Sequence, residues 1–218
     1  MPKYYTPAQQ SFQRHFAVES LAQRMSDFVI RSELAESDKA FIESRDMFFL
    51  ATVDASGQPT CSYKGGHPGF VRVTGTSSLA FPLYNGNSMY LSAGNMSETG
   101  KAGLLFIDFE TPHRLRIEGT VTIDADPATC ERWPGSELVA SVSVDAVFVN
   151  CPRYIHPSKR QHASRYVPEP GIEAPLPAWK RIDAFQDALS PTDKARVAQA
   201  GGPITRQEYR AKLASGDA

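Results

Sequence analysis

The sequence predicts a mainly β protein: a small six-stranded antiparallel β-barrel with flanking α-helices. Short apolar and β-branched runs follow one another between residues 48 and 124, and turn signals such as Asp-Ala-Ser-Gly at 54–57 separate them. The segments between these runs leave little room for the crossover helices that a parallel sheet needs. Polar and glycine-rich residues cluster where the runs end, which is where a barrel would present a ligand.

Six runs have the strand pattern, and the first two read as a hairpin with a short loop. The runs are residues 48–53, 58–64, 70–73, 79–82, 102–109 and 114–124. A last alternating strand is predicted over 145–150, where Cys151-Pro152 ends it.

Helices are predicted on both sides of the barrel. Within residues 7–44, apolar side chains recur at steps of three to five and so share one broad helical face. These side chains are Phe12, Phe16, Leu21, Met25, Phe28 and Val29. Ser37 is the predicted N-cap of a second helical segment. These helices cover an open end of the barrel or, alternatively, pack on a partner subunit.

The C-terminal part begins with a long arm rich in proline and basic residues, over 152–178. Helices are predicted to follow over 179–189 and 205–213, the latter opened by a capping-box pattern at 205–208. The chain therefore divides into a helical extension (1–44), a barrel domain (45–156) and a C-terminal arm with helices (157–218).

Composition indicates a soluble globular protein with little overall charge. Lysine and arginine total 23 and aspartate and glutamate total 24, so the net charge is −1. No basic field is present to attract nucleic acid or anionic lipid, and neither is expected as a partner. No apolar run approaches the ~20 residues that span a bilayer, and no signal peptide is visible. A cytoplasmic location is expected.

The cysteines and histidines do not form a recognisable site. Three scattered cysteines without a CxxC pair argue against a disulfide framework. Cys61 and Cys151 are interpreted as small packing residues rather than reactive thiols. The histidines are too dispersed for a zinc site, so no metal is expected.

Several segments together resemble a known family. The segments are FFLATVDASGQP, SYKGGHPGFVRV, LAFPLYNGNSMYLSAGNM, AGLLFIDF and RLRIEGTV, in this order over roughly residues 40–156. They resemble the pyridoxamine 5′-phosphate oxidase-like, FMN-binding split-barrel superfamily, and within it a bacterial branch of predicted flavin-nucleotide-binding proteins. The resemblance implies a split β-barrel fold, FMN as cofactor and a homodimer with a shared cleft.

The first candidate contacts with FMN lie at the end of the second predicted strand. In the resembling family this strand end runs along the flavin and often finishes in lysine, and Lys64 stands in that place. The implied contacts are Ser62, Tyr63, Lys64 and Gly65. Taken alone, the residue types favour a turn at the glycines beside a lysine that faces solvent. The resemblance instead favours a contact between this strand end and the flavin.

The second group of candidates lies where the fourth predicted strand ends. Classical members of the resembling family carry a serine-arginine-lysine cluster in this loop that binds the FMN phosphate, whereas this chain has neutral residues there. The candidates are Phe81 and Pro82 at the strand end and Asn85, Gly86, Asn87 and Ser88 in the loop. Backbone N–H groups at the start of the following helix, predicted from Met89 to about Asn95, can still bind an anion. Without the resemblance, Asn-Gly is simply a common turn.

Because the loop lacks a cation, either another strand supplies one or the phosphate is bound with only modest affinity. Arg114 and Arg116 project from the same strand face, and Arg116 is the first candidate; alternatively the pair faces solvent near Asp108 and Glu118. Arg72 is expected to be exposed. The resemblance places the segment after the last strand near the dimer interface. Three secondary candidates follow from that placement, Arg153, Tyr154 and His156.

The predicted function is that of an FMN-dependent oxidoreductase acting with a small-molecule substrate or electron donor that the sequence does not identify. No catalytic residue is assigned, and Tyr63, Lys64 and His156 are guesses for an acid or base. One alternative is a non-enzymatic flavin-binding or flavin-sequestering protein. Another is a haem-binding or haem-degrading relative on the same barrel, for which only His67, His113 or His156 could be the ligand.

Overall fold

One antiparallel sheet of seven strands organises the N-terminal part of the chain. The computed structural model describes residues 4–217, which form two compact units, 4–163 and 164–217. The strands are β1 Met47–Val53, β2 Pro59–Gly65, β3 Arg72–Gly75, β4 Ser78–Tyr84, β5 Lys101–Asp108, β6 His113–Asp124 and β7 Ser136–Val149. Their order in the sheet is β2-β1-β5-β6-β7-β4-β3, and each neighbouring pair is antiparallel.

The mainly β fold with flanking helices and an antiparallel sheet is confirmed and fits a split barrel, but the predicted count of six strands is wrong. The sheet has seven strands and is not closed, with β2 and β3 at its two edges. The seventh strand, predicted over 145–150, begins nine residues earlier, at Ser136. Polar residues at 141, 143 and 145 alternate with buried residues at 142, 144 and 146, so one face of β7 is apolar over this stretch.

Three phenylalanines from the strands of this sheet lie in the hydrophobic core. Phe48, Phe81 and Phe106 are fully buried, and the Phe48 ring centroid lies 5.0 Å from that of Phe81 and 5.1 Å from that of Phe106. Each aromatic side chain comes from a different strand, so this cluster ties β1, β4 and β5 together.

Five helices accompany the sheet within residues 4–163. They are α1 Pro7–His15, α2 Glu19–Phe28, α3 Glu36–Ser44, α4 Leu91–Thr99 and the short α5 Pro127–Cys130. Ser37 is not the N-cap of α3, because the helix already begins at Glu36. Instead the Asp38 carboxylate accepts the Ala35 N–H at 2.8 Å and pairs with Arg31 at 2.8 Å.

The second unit, residues 164–217, is mostly helical. Its helices are α6 Pro191–Gln199 and α7 Arg206–Ser215. The predicted capping box of α7 is confirmed, since Thr205 and Glu208 exchange side-chain to backbone hydrogen bonds. The helix predicted over 179–189 is wrong: two short 3-10 segments, Ala178–Arg181 and Asp183–Phe185, occupy this range. None of the helices within residues 4–217 has both the length and the apolar character to cross a bilayer.

Candidate functional site

A cavity of about 350 Å³ opens between the end of β2, the end of β4 and the start of α4. It brings together five of the residues predicted to bind FMN: Ser62, Lys64, Gly86, Asn87 and Ser88. The other lining residues are Leu83, Tyr84, Tyr90, Leu91, Ser92, Ala93, Glu137 and Leu138. We call this space the α4 cavity.

Lys64 is the cation of the α4 cavity. Its side chain is half-buried, and this burial lowers the pKa of its ammonium from the ordinary value of 10.5. Within residues 4–217 no side chain pairs with the ammonium as a counter-ion. A cation that has lost part of its water without gaining an anion is unfavourable by itself. A negatively charged group placed beside Lys64 would offset this cost.

The start of α4 adds hydrogen-bond donors to the same cavity. The first intrahelical bond runs from the Gly94 N–H to the Tyr90 carbonyl at 2.8 Å, so the N–H groups of Leu91, Ser92 and Ala93 have no partner within the helix. These three residues line the cavity. The positive end of the helix dipole points the same way and favours an anion there.

Polar side chains fix α4 against β1 and β2. The hydroxyls of Ser62 and Ser92 lie 3.0 Å apart. One turn further along, the buried Asn95 amide donates to the Thr52 hydroxyl at 3.1 Å, and the Thr99 hydroxyl donates to the Val53 carbonyl at 3.1 Å. Because these contacts repeat along the helix, its first turn is held beside Lys64.

The loop before α4 is held by Glu137 from β7. Its carboxylate accepts hydrogen bonds from the Asn85 amide at 2.6 Å and the Tyr90 hydroxyl at 3.0 Å. The hydrogen bond to Glu137 raises the pKa of the Tyr90 hydroxyl. Ser88 and Tyr90 have φ values of 64° and 48°, in the left-handed region that non-glycine residues rarely adopt. Glu137 therefore stabilises a strained loop and also places a negative charge at the cavity wall.

Five further candidate positions lie outside the cavity lining. Tyr63 points to the other side of β2, where its exposed ring lies 6.1 Å from Phe49. Gly65 follows Lys64 at the end of β2, Phe81 belongs to the aromatic core, and Pro82 is buried beside Val139. Asn85 contacts the cavity indirectly, through its hydrogen bond to Glu137.

The structure does not bring Arg116 to the asparagine loop within one chain. Tyr84, next to the loop, pairs with Ser136 on β7, whereas Arg116 pairs with Phe148. These positions on β7 are twelve residues apart, about 40 Å of extended strand. Arg116 lines a second cavity, of about 390 Å³, and its guanidinium carbon lies 5.6 Å from the Phe148 ring centroid.

The remaining arginine and tyrosine candidates follow β7. Arg153 packs its guanidinium 5.8 Å from the Tyr154 ring, which is 85% exposed. Their contact with FMN, like that of Arg116, stays a prediction that requires a second chain. Arg72, expected to be exposed, is half-buried with its guanidinium 4.4 Å from the Trp133 ring.

Eight lining residues of the cavity were not predicted as site residues, among them Tyr90, Ser92 and Glu137. Ser92 could have been found, because it lies in the first turn of a helix already expected to bind an anion. Glu137 is 52 residues from Asn85 in the sequence, and no local pattern links them.

Among residues 4–217, no cysteine or histidine lines the α4 cavity, although the Cys130 thiol donates to the carbonyl of the lining residue Glu137 at 3.5 Å. Cys61 and Cys151 are exposed, so their interpretation as packing residues is wrong. The backbone N–H of Arg153, with its guanidinium, lowers the pKa of the Cys151 thiol. His113 packs its ring 4.5 Å from that of Phe41. Across residues 4–217, no three histidine, cysteine or acidic side chains are grouped to hold a metal ion.

Comparison with known proteins identifies the family. The family model for pyridoxamine 5′-phosphate oxidase matches residues 34–161, more than half of the chain. The chain belongs to this family. The resemblance found in the sequence is thereby confirmed, and every residue that lines the α4 cavity lies within the matched range.

Three solved structures that are similar to this chain are 11–21% identical to it. A putative pyridoxamine 5′-phosphate oxidase from Lactobacillus delbrueckii is 21% identical, with 54% of this chain and 95% of that chain covered and a TM-score of 0.44. An FMN-binding protein from Syntrophomonas wolfei is 11% identical (65% and 96% covered, TM-score 0.41). The heme storage protein HutZ from Vibrio cholerae is 18% identical (53% and 94% covered, TM-score 0.40). No curated protein matches the chain.

Proposed function

We propose that this protein is an FMN-binding flavoprotein and that the α4 cavity holds the phosphate of FMN. The observation that carries the proposal is the half-buried Lys64 ammonium without a counter-ion, facing the same cavity as the free N–H groups of α4. An FMN phosphate carries between one and two negative charges near neutral pH and has three strong acceptor oxygens. It would supply the anion that Lys64 lacks.

Neutral donors would complete the phosphate site. The hydroxyls of Ser62, Ser88 and Ser92 and the amide of Asn87 belong to residues of the cavity lining. Together with the start of α4 they take the place of the arginine and lysine that the resembling family has in this loop. The Glu137 carboxylate would repel a phosphate and so favour its placement toward Lys64, away from the β7 wall.

The α4 cavity is small for a whole flavin nucleotide. Its volume of about 350 Å³ is near the lower end of the roughly 300–1,000 Å³ typical of ligand sites. It would enclose the phosphate and part of the ribityl chain, while the ring would extend beyond it. A second copy of the chain would then cover the ring, and its Arg116, Arg153 and Tyr154 would be the contacts. We therefore propose a homodimer with FMN between the subunits.

The proposed activity is that of an oxidoreductase with an unidentified small substrate or electron donor. Bound FMN supplies hydride-transfer chemistry. The chain's own residues would bind the phosphate, fix the orientation of the cofactor and hold a proton at Lys64 Nζ. A flavin-binding protein without turnover is the alternative, and oxidation of reduced nicotinamide by the FMN-loaded protein would separate the two. For the haem-binding alternative, a histidine ligand would have to come from outside the α4 cavity, since none of the described residues that line it is a histidine.

Replacing Lys64 tests the phosphate site. Lys64→Ala should weaken FMN binding at least tenfold and leave riboflavin binding unchanged, because a lost charge-assisted hydrogen bond is worth about 1.5–3 kcal/mol. Flavin fluorescence titration measures both affinities. The matched control is Lys101→Ala, which removes an exposed lysine paired with Asp145 on the sheet surface and should change neither. An equal loss for FMN and riboflavin, or no loss, would contradict the assignment.

A further inference from the structure

The cavity that contains Arg116 combines apolar walls with a few polar groups. It has a volume of about 390 Å³ and lies between α1, α2, β6 and the end of β7. This volume is within the roughly 300–1,000 Å³ of small-molecule sites, which are mostly apolar with a small number of placed polar groups. We call this space the Arg116 cavity.

Aromatic rings form one wall of the Arg116 cavity. The Tyr4 ring meets the Tyr5 ring and the Phe148 ring edge to face, at centroid distances of 5.4 and 6.0 Å. Met25 on α2 and Val29 directly after it add apolar surface. Aromatic rings in such clusters favour edge-to-face or offset contacts with a further ring. This wall therefore suits the flat apolar body of an aromatic ligand.

Arg116 supplies a cation that has no ion-pair partner among residues 4–217. The nearest carboxylate in sequence, Glu118, lies on the same face of β6 but accepts the Tyr4 hydroxyl with both oxygens, at 3.2 Å each. Burial and the neighbouring Glu118 raise the pKa of the Tyr4 hydroxyl to about 12, so it remains a donor at neutral pH. The Arg116 guanidinium is therefore available to an anion from outside the chain.

A buried hydrogen-bond acceptor belongs to the same cavity. Asn150 lines it, and the Oδ1 atom of its amide is buried without a hydrogen-bond partner within residues 4–217. The Asn150 backbone N–H donates to the Arg114 carbonyl at 3.4 Å, which holds the residue at the end of β7. A buried acceptor without a hydrogen bond is unfavourable. A ligand N–H or O–H that reached Oδ1 would remove that cost.

We propose that the Arg116 cavity binds a small aromatic carboxylic acid that carries an N–H or O–H group. The carboxylate would bind the Arg116 guanidinium, the ring would lie against Tyr5 and Phe148, and the donor would reach Asn150 Oδ1. A guanidinium has several N–H donors, so one edge can bind this carboxylate while another remains open to the flavin proposed above. The ligand site goes beyond the proposed flavin binding and does not depend on it, because every contact lies within residues 4–163 of a single chain.

Charge favours a carboxylate over a phosphate in this cavity. Glu118 places a negative charge in the same lining as the positive charge of Arg116. A carboxylate brings a single negative charge, which the guanidinium matches. A phosphate monoester brings about two negative charges near neutral pH and would meet more repulsion from Glu118.

Isothermal titration calorimetry of the full chain with 4-hydroxybenzoate tests this site. Wild type should bind one molecule per chain, and Arg116→Gln should weaken binding by at least about tenfold, because it removes a charge-assisted hydrogen bond. The matched control is Arg206→Gln, which removes an exposed arginine of α7 and should leave the affinity unchanged. Both arginines are exposed, so both variants should fold, and circular dichroism checks this.

Two further ligands separate the carboxylate from the hydrogen-bond donor. Benzoate lacks the hydroxyl, so Asn150→Leu should weaken 4-hydroxybenzoate binding several-fold and leave benzoate binding unchanged. Phenyl phosphate has a phosphate in place of the carboxylate and should bind more weakly than benzoate.

Three results would overturn the inference: no binding of 4-hydroxybenzoate or benzoate to wild type at millimolar concentration, an unchanged affinity in Arg116→Gln, or an equal loss in Arg206→Gln. Tighter binding of phenyl phosphate than of benzoate would contradict the choice of a carboxylate. An equal effect of Asn150→Leu on both acids would contradict the donor contact. The titrations use FMN-free protein, and flavin affinity is measured separately on the same samples, so a chain that binds the acid but not FMN contradicts only the flavin proposal.

Discussion

At the scale of single residues, the α4 cavity depends on the two-residue period of β2. Ser62 and Lys64 face the cavity, and Tyr63 between them faces the opposite side of the sheet. Strand pairing holds this orientation, since Lys64 pairs with Phe48, whose side chain is fully buried in the core. A change of register by one residue would replace the ammonium with a phenol ring.

The lowered pKa of Lys64 predicts how FMN binding depends on pH. Burial stabilises the neutral amine in the free protein, whereas a bound phosphate would stabilise the ammonium and raise its pKa. Affinity should be constant at neutral pH and should fall as pH rises through the lowered pKa, below 10.5. The phosphate itself loses its second proton near pH 6, so it does not titrate in this range.

The measurement is the ratio of FMN to riboflavin affinity between about pH 7 and pH 10, which cancels titration of the shared ring. The control is Lys64→Arg, whose guanidinium stays charged throughout and should give a flat ratio. A wild-type ratio that is equally flat would show that Lys64 does not hold the phosphate.

At the scale of elements, the bend of β6 against β7 depends on Gly119. The register of the two strands shifts between Glu118 and Gly119. A β-carbon at this glycine would lie 2.5 Å from the Ser143 carbonyl oxygen and 2.6 Å from a Val142 methyl. The first of these atoms belongs to the backbone of the neighbouring strand and cannot move aside without disturbing the sheet.

Gly119→Ala should therefore destabilise the protein by about 1–3 kcal/mol, the usual cost of overpacking a filled site. Gly94→Ala is the matched control: no atom lies within 4 Å of the added carbon, and alanine in a helix is worth about 0.5–1 kcal/mol over glycine. Urea unfolding midpoints give both differences. Equal stability of the two variants would mean that the sheet adapts at this bulge.

Local patterns predicted most elements of this fold and failed where distant pairing decides the structure. The runs at 48–53 and 114–124 became strands within a residue of their predicted bounds, because their periodicity and flanking turns are local signals. The beginning of β7 at Ser136 depends on pairing with Tyr84, 52 residues earlier. The same holds for the site: β2 and the loop before α4 were predicted from contiguous motifs, whereas Glu137 comes to the cavity only through β7.

At the scale of the whole molecule, the predicted FMN contacts fall into two groups that one chain does not join. Lys64 and the loop residues line the α4 cavity, whereas Arg116 lines a separate cavity together with Met25 and Phe148. A dimer in which each site takes Lys64 from one subunit and Arg116 from the other would use both groups. FMN binding by a mixture of two variants would differ between such a shared site and a site within one chain.

Mixing two defective variants should restore part of the binding. Lys64→Ala and Arg116→Ala homodimers each carry a lesion in both sites. Random exchange makes about half of the dimers mixed, and a two-fold symmetric mixed dimer has one site with both lesions and one with neither. About a quarter of all sites should therefore recover wild-type affinity, measured by FMN titration after co-refolding.

The control is each variant refolded alone. If Arg116 acted within its own chain, or not at all, every site containing Lys64→Ala would stay weak, and mixing would give only the average of the two separate titrations.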